Sequence, residues 1–177
     1  MRRLFGACAD VSICLAMKTE TDLFQRFSEL GLKTSTVEHT AVFTVEEAKA
    51  ARGGLTGAHS KNLFLKDKKK QLWLVVCLED RPIDMKQLRH KIGAGNLSFG
   101  KPELLVDILG VEPGSVTPFS LINDEKNQVN VVLDREMMAD DFLNFHHLTN
   151  TKTTQISPES LLRFIRSCGH EPDIVEL

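Results

Sequence analysis

The chain has 177 residues, 42% of them hydrophobic and 26% charged, with a formal net charge of −2. That length suits a single domain whose core needs no disulfides, and the composition excludes collagen-like, low-complexity and disordered chains. A charge so near zero gives no general attraction to polyanions, so any contact with nucleic acid must come from a local basic patch.

In chain order, Met1-Arg2-Arg3 and the apolar residues that follow imitate a secretory signal, but Asp10 and Ser12 interrupt the stretch. Residues 1–18 are expected to be a loosely ordered leader, and no segment reaches the ~20 apolar residues of a membrane span. A helix is predicted at about 21–30, with Leu23, Phe24, Phe27 and Leu30 on one face and Gly31 ending it. An extended stretch follows at 33–39. Thr44-Val45-Glu46-Glu47 has the form of a capping box and marks a short second helix running to about Ala51.

Beyond the glycine-rich break at 52–57, residues 60–66 and 71–78 alternate like strands and are joined by Asp67-Lys68-Lys69-Lys70, which predicts a hairpin. Trp73 and Cys77 would share one of its faces, with Leu72, Leu74 and Val76 on the other, both covered. Pro82 and Pro102 open helices at roughly 84–92 and 102–109, the second stopped by Gly110, with a glycine-bearing surface loop between them. Residues 117–122, a turn at 123–128 and residues 129–133 are expected to form a second hairpin. The last helix has Ser157 as cap, Pro158 in its first turn, Leu161, Leu162, Ile165 and Cys168 as its stripe and Gly169 as its stop. Residues 173–177 should add an edge strand. The alternation of helical and extended segments with short connections describes one mixed α/β domain without linker or repeat.

Cys8, Cys14, Cys77 and Cys168 are scattered, with no C-x-x-C pair. Structural thiols in a reduced, cytoplasmic chain are expected, with no zinc and no other cofactor. Conventional catalytic signatures are missing: there is no G-x-S-x-G elbow, no H-E-x-x-H and no phosphate loop. Of six histidines, only His146 and His147 adjoin a polar run, which carries Asn150, Thr151, Thr153 and Thr154. Lys61, in Ser60-Lys61-Asn62, is expected to be exposed at a strand end where its ammonium can meet a phosphate, a solvated lysine being the alternative. The lysines at 66 and 68–70 are read as a soluble hairpin tip. Gly114-Ser115-Val116-Thr117-Pro118 is either a turn that aims backbone amides at a carbonyl or an ordinary loop.

These signals occur in the order Val37-Glu38-His39-Thr40-Ala41-Val42-Phe43-Thr44-Val45-Glu46-Glu47-Ala48, Lys61-Asn62-Leu63-Phe64-Leu65, Gly114 to Pro118, Phe145-His146, Asn150-Thr151-x-Thr153-Thr154 and Gly169-His170-Glu171-Pro172. In that order the chain resembles the YbaK/ProX family of trans-editing aminoacyl-tRNA deacylases, relatives of the insertion domain of prolyl-tRNA synthetase, from about residue 19 to the end. The resemblance implies a single α/β editing domain over 19–177 with a mixed, barrel-like sheet flanked by helices. It implies hydrolysis of alanyl-tRNA(Pro), contact with the 3′ end of that RNA and with prolyl-tRNA synthetase, and no metal, DNA or membrane. By the same resemblance Lys61 holds the terminal adenosine and Asn62 shapes the pocket, while Gly114 to Pro118 seats the aminoacyl ester through backbone groups. His146 borders the aminoacyl pocket, Phe145 walls it, and Asn150 contacts substrate. Water would be activated with help from the ribose hydroxyl of the substrate, so that the protein positions and stabilises rather than forming a covalent intermediate. The chain departs from the family at His146-His147, where His-Pro is usual, which leaves open which of the two imidazoles has the family role. Two other readings are a non-catalytic module that recruits transfer RNA or a synthetase, and a cysteine-dependent hydrolase.

Overall fold

The computed structural model describes residues 17–40 and 55–177. Residues 1–16 of the expected leader, the helix capped at Thr44, and Cys8 and Cys14 lie outside the described residues, while at the end of the leader the Lys18 amide donates to Asn123 Oδ1 at 2.6 Å. Helix α1 (Glu20–Glu29) starts where Thr19 and Asp22 cap each other reciprocally, and it buries Leu23 and Phe27. Strand β1 (Thr34–Glu38) follows, then the long antiparallel pair β2 (Ala58–Lys66) and β3 (Leu72–Leu78). Helix α2 (Met85–Lys91), the two-residue strand β4 (Ser98–Phe99) and helix α3 (Pro102–Leu109) come next, α2 and α3 lying within a residue of the proline-based prediction. The chain closes with β5 (Val129–Asp134), β6 (Leu143–His146), β7 (Lys152–Ile156), helix α4 (Pro158–Ser167) and β8 (Asp173–Val175).

The strands form one mixed sheet in the order β1-β7-β6-β2-β3-β5-β8, with β4 added to β2. Its β2–β3 centre separates two apolar layers, as the alternation of the sequence requires. Leu72, Leu74 and Val76 join Phe119, Phe145, Leu161 and Phe164 in the main core, and Trp73 and Val75 pack with Leu65, Leu88 and Val132 on the other face. Phe27, Phe119 and Phe164 meet edge to face at 5.1–5.5 Å between centroids.

The second hairpin does not form. Thr117 accepts a hydrogen bond from the Phe119 amide and, with Pro118 in the first turn, opens a 3₁₀ helix over Pro118–Asn123. Strand β5 instead runs parallel to β3, Leu72 facing Val129 and Val76 facing Leu133. Proline fixes φ near the helical value and has no N–H for a ladder, so the segment coils despite its apolar content. The strands β6 and β7, not anticipated in the polar run, pair antiparallel. Residues 173–175 do supply the edge strand, parallel to β5.

The His146-His147 step falls where β6 ends. The His147 amide donates to the Lys152 carbonyl at 3.1 Å, a bond that proline cannot make. Its side chain is fully buried, with Nδ1 2.7 Å from Thr154 Oγ1 and the ring 4.2 Å from that of Phe24. Burial lowers its pKa to about 4, the Glu20 carboxylate opposing and the Lys152 ammonium adding to the shift. An unfolded histidine titrates near ~6.5, so between that pH and about 4 the unfolded chain binds the extra proton and stability falls with pH. The loss attributable to this group from pH 7 to pH 5 is about 2 kcal/mol, and His147→Gln should visibly flatten the decline in urea midpoints over that range.

Candidate functional site

β2 is laddered to β3 without a break from Ser60 to Lys66 along one edge, but not along the other. On that second edge β6 pairs only with Ala58 and His59, and β4 only with Leu65 and Lys66. Between them lie Ser60 to Phe64, where the Gly100 amide donates to the Phe64 carbonyl at 2.9 Å and, on this edge, no described strand pairs with Lys61, Asn62 or Leu63. A break in the middle of a sheet exposes backbone donors and acceptors that a bound group can use.

The loop carrying Gly114 closes on this break. Asn62 Nδ2 donates to the Val116 carbonyl at 2.8 Å, so the two sequence motifs are joined by one amide. Asn62, Leu63, Phe64, Phe99, Pro113, Gly114 and Val116 help to line a cavity of about 200 Å³. Gly114 has φ +92°, a conformation costly for residues with a Cβ, although a Cβ there would meet nothing within 4 Å. The glycine is thus required by the path of the loop and not by crowding. Ser115 and Thr117 are buried beneath it, and the Ser120 hydroxyl donates to the Thr117 carbonyl at 2.6 Å. Pro118 is buried in the first turn of the 3₁₀ helix. Asn62 Oδ1 is buried and has no hydrogen-bond partner among the described residues, so it remains available to a donor.

Strand alternation directs Lys61 and Asn62 to opposite sides of β2. Asn62 faces the main core and the cavity, and Lys61 does not line that cavity. The ammonium of Lys61 is not exposed as the sequence suggested. It is half-buried and donates to the Arg81 carbonyl. The turn bearing that carbonyl is itself fixed, because the Arg81 guanidinium donates to Asp134, 2.7 Å from Nε, and also to Glu136 and to the Leu177 carbonyl. Asp134 is wholly buried. Neither Arg81 nor Asp134 carried a sequence signal, since their meeting depends on β5 lying parallel to β3.

The parallel β2–β6 register, with His59 opposite Asn144, places His146 on the Lys61 side of the sheet and Phe145 on the core side. Phe145 is accordingly 1% exposed and 5.7 Å from the Phe119 ring. His146 Nδ1 is buried with no partner among the described residues. Burial, with a smaller contribution from His39, lowers its pKa, while Glu79 opposes the shift, so the imidazole is neutral at neutral pH and can accept a proton or hydrogen bond. His39 stands nearby with Nε2 2.9 Å from Thr153 Oγ1, on the strand paired to His146. It lies in a matching motif for which the resemblance implies no role. Asn150 lies in the β6–β7 turn, away from the Gly114 cavity lining.

Among the described residues no three His, Cys, Asp or Glu side chains gather as metal ligands. The described thiols are poor nucleophiles, since burial pushes both Cys77 and Cys168 up to about 11. No described helix is long and apolar enough to cross a membrane.

The aminoacyl-tRNA editing domain family matches residues 39–164, a span containing β2, the Gly114 loop and His146. The chain is 42% identical over 159 residues to prolyl-tRNA synthetase associated domain-containing protein 1 of Mus musculus, covering 87% of this chain and 94% of the relative. It is 33% identical over 162 residues to prolyl-tRNA editing protein ProX of Acetoanaerobium sticklandii, covering 91% and 99%. A solved structure described as a candidate trans-editing enzyme for prolyl tRNA synthetase superposes with TM-score 0.66 at 17% identity, covering 92% of this chain and 99% of that one, and shares its fold.

Proposed function

Because the chain belongs to the aminoacyl-tRNA editing family, we propose that it is a cytoplasmic, trans-acting hydrolase that removes alanine from mischarged proline transfer RNA. The observation that carries this reading is the break in the β2 ladder at Lys61 to Leu63, closed by the Gly114 loop through Asn62. An ester carbonyl entering the break meets backbone donors that are already rigid, and preorganised donors of this kind stabilise the charge that develops on oxygen. Lys61 supplies a fixed positive charge beside the break for the RNA terminus, and the neutral His146 accepts a hydrogen bond from the attacking water or from a ribose hydroxyl. Asn62 Oδ1 accepts from the ammonium of the aminoacyl group. A tight cavity rejects larger side chains by overlap more effectively than smaller ones.

The test is a deacylation panel with alanine-, serine-, glycine- and proline-charged proline transfer RNA. Alanine is expected to be released fastest, serine and glycine to a lesser degree, and proline to be retained. Binding of all four without release of any amino acid would identify a recruiting module and discard the hydrolase.

A further inference from the structure

Phe99 is the most exposed large hydrophobic side chain among the described residues, at 67%, and it lines the same cavity as Asn62 and Gly114. Its position is imposed rather than accidental. In β4 it pairs with Leu65, and the next residue, Gly100, lies so close to Phe64 that a Cβ would come within 2.4 Å of the ring. The backbone is thereby clamped to β2 while the Phe99 ring remains in solvent.

The neighbouring surface is basic. Ser98 pairs with Lys66, which leads into the β2–β3 tip with exposed Lys68, Lys69 and Lys70, and Lys101 is exposed just beyond Gly100. The one acidic residue in the tip, Asp67, is buried. Its Oδ1 accepts from the Lys69 and Gln71 amides at 2.8 and 3.0 Å, and its Oδ2 from the Gly95 amide at 3.1 Å. Its carboxylate is directed to backbone amides, and it binds the 93–97 loop to the tip beside β4. In a chain of net charge −2 this is a local concentration of positive charge around a bare aromatic ring at a cavity mouth.

Single-stranded nucleic acid is held by this combination, with cations tracking the backbone and an aromatic face stacking a base. We propose that Phe99 is a stacking platform for an unpaired nucleobase of the acceptor end and that the Lys66–Lys70 tip tracks the phosphates behind it. This rests on the RNA substrate proposed above and adds which part of that substrate is gripped outside the ester pocket. It also assigns the lysine tip a role beyond solubility.

The probe is an uncharged single-stranded RNA oligonucleotide ending in CCA, with binding followed by fluorescence anisotropy at several salt concentrations. Phe99→Ala and Phe99→Leu should weaken binding about tenfold, whereas Phe99→Trp, which keeps an aromatic face, should retain it. The pair Lys68→Gln and Lys69→Gln should reduce the salt slope by about one. Phe142→Ala, which removes another exposed ring away from the cavity, serves as control and should bind like the unaltered chain. Unchanged binding by both Phe99→Ala and Phe99→Leu, or equal weakening by Phe142→Ala, would overturn the proposal. So would a dimer of the unaltered chain that Phe99→Ala dissociates, since the ring would then serve self-association. Because no ester is present, RNA binding with the expected variant pattern can hold even if the deacylation panel fails, and the panel can succeed while this pattern does not appear.

Discussion

Lys61→Ala is expected to lower deacylation of alanine-charged proline transfer RNA by a factor of about 100 or more, the loss expected when the group that positions the RNA terminus is removed and the ester is no longer held in reacting geometry. The ammonium is half-buried and held by the Arg81 carbonyl, so the variant also forfeits a charge-assisted hydrogen bond, at a cost of about 1.5–3 kcal/mol. Activity and stability must therefore be read separately. Single-turnover deacylation reports the first and urea unfolding the second, with Lys61→Arg retaining charge and most of the stability. A folded Lys61→Ala protein that turns over normally would remove Lys61 from the mechanism.

The largest loss of stability is expected at Asp134. Its carboxylate, without solvent exposure, accepts from Arg81 Nε at 2.7 Å and from the Leu78 and Glu136 amides at 3.3 Å each. Asp134→Ala removes the acceptor of Arg81 Nε and of two amides and leaves the guanidinium, among the described residues, with only exposed Glu136 and the Leu177 carbonyl. The cost should therefore fall toward the low end of the about 3–5 kcal/mol for removing one partner of a buried pair. Urea unfolding at pH 7 should show that loss. The same change releases the turn whose carbonyl holds Lys61, so activity should decline in conditions where the protein remains folded. A variant within about 1 kcal/mol of the unaltered chain would mean that solvent reaches the pair and satisfies it.

These two residues also show where sequence reading succeeds and where it stops. The β2–β3 hairpin was legible because a strand buried on both faces needs a continuous apolar run, and residues 72–78 provide one next to an obvious turn. Helix α4 was legible through Ser157, Pro158 and the spacing of Leu161 and Ile165. Residues 117–122 misled because their apolar content is compatible with either a strand or a coil, and the capping threonine and proline decided the outcome. Parallel pairing of β5 with β3 leaves no local trace in the sequence, and the Arg81–Asp134 pair depends on it. At the site, Lys61, Asn62 and Gly114 were visible as motifs, but their arrangement was not. Strand alternation sends Lys61 and Asn62 to opposite sides, and the unladdered edge arises from where β6 and β4 happen to stop. Similarly, nothing in Phe99 itself foretells a solvent-facing ring. That follows from the clamp at Gly100.

The position of β1 bears on how the chain is made. Among the described residues β1 ends the sheet and pairs with β7 alone, Thr34 lying opposite Ile156. During synthesis from the N-terminus, residues 34–38 leave the ribosome long before β7 does, and pairing across such a separation is slow to form. The segment Thr34-Ser35-Thr36-Val37-Glu38 suits that interval. One aliphatic side chain among hydroxyls and a carboxylate gives a waiting strand little with which to recruit another nascent chain.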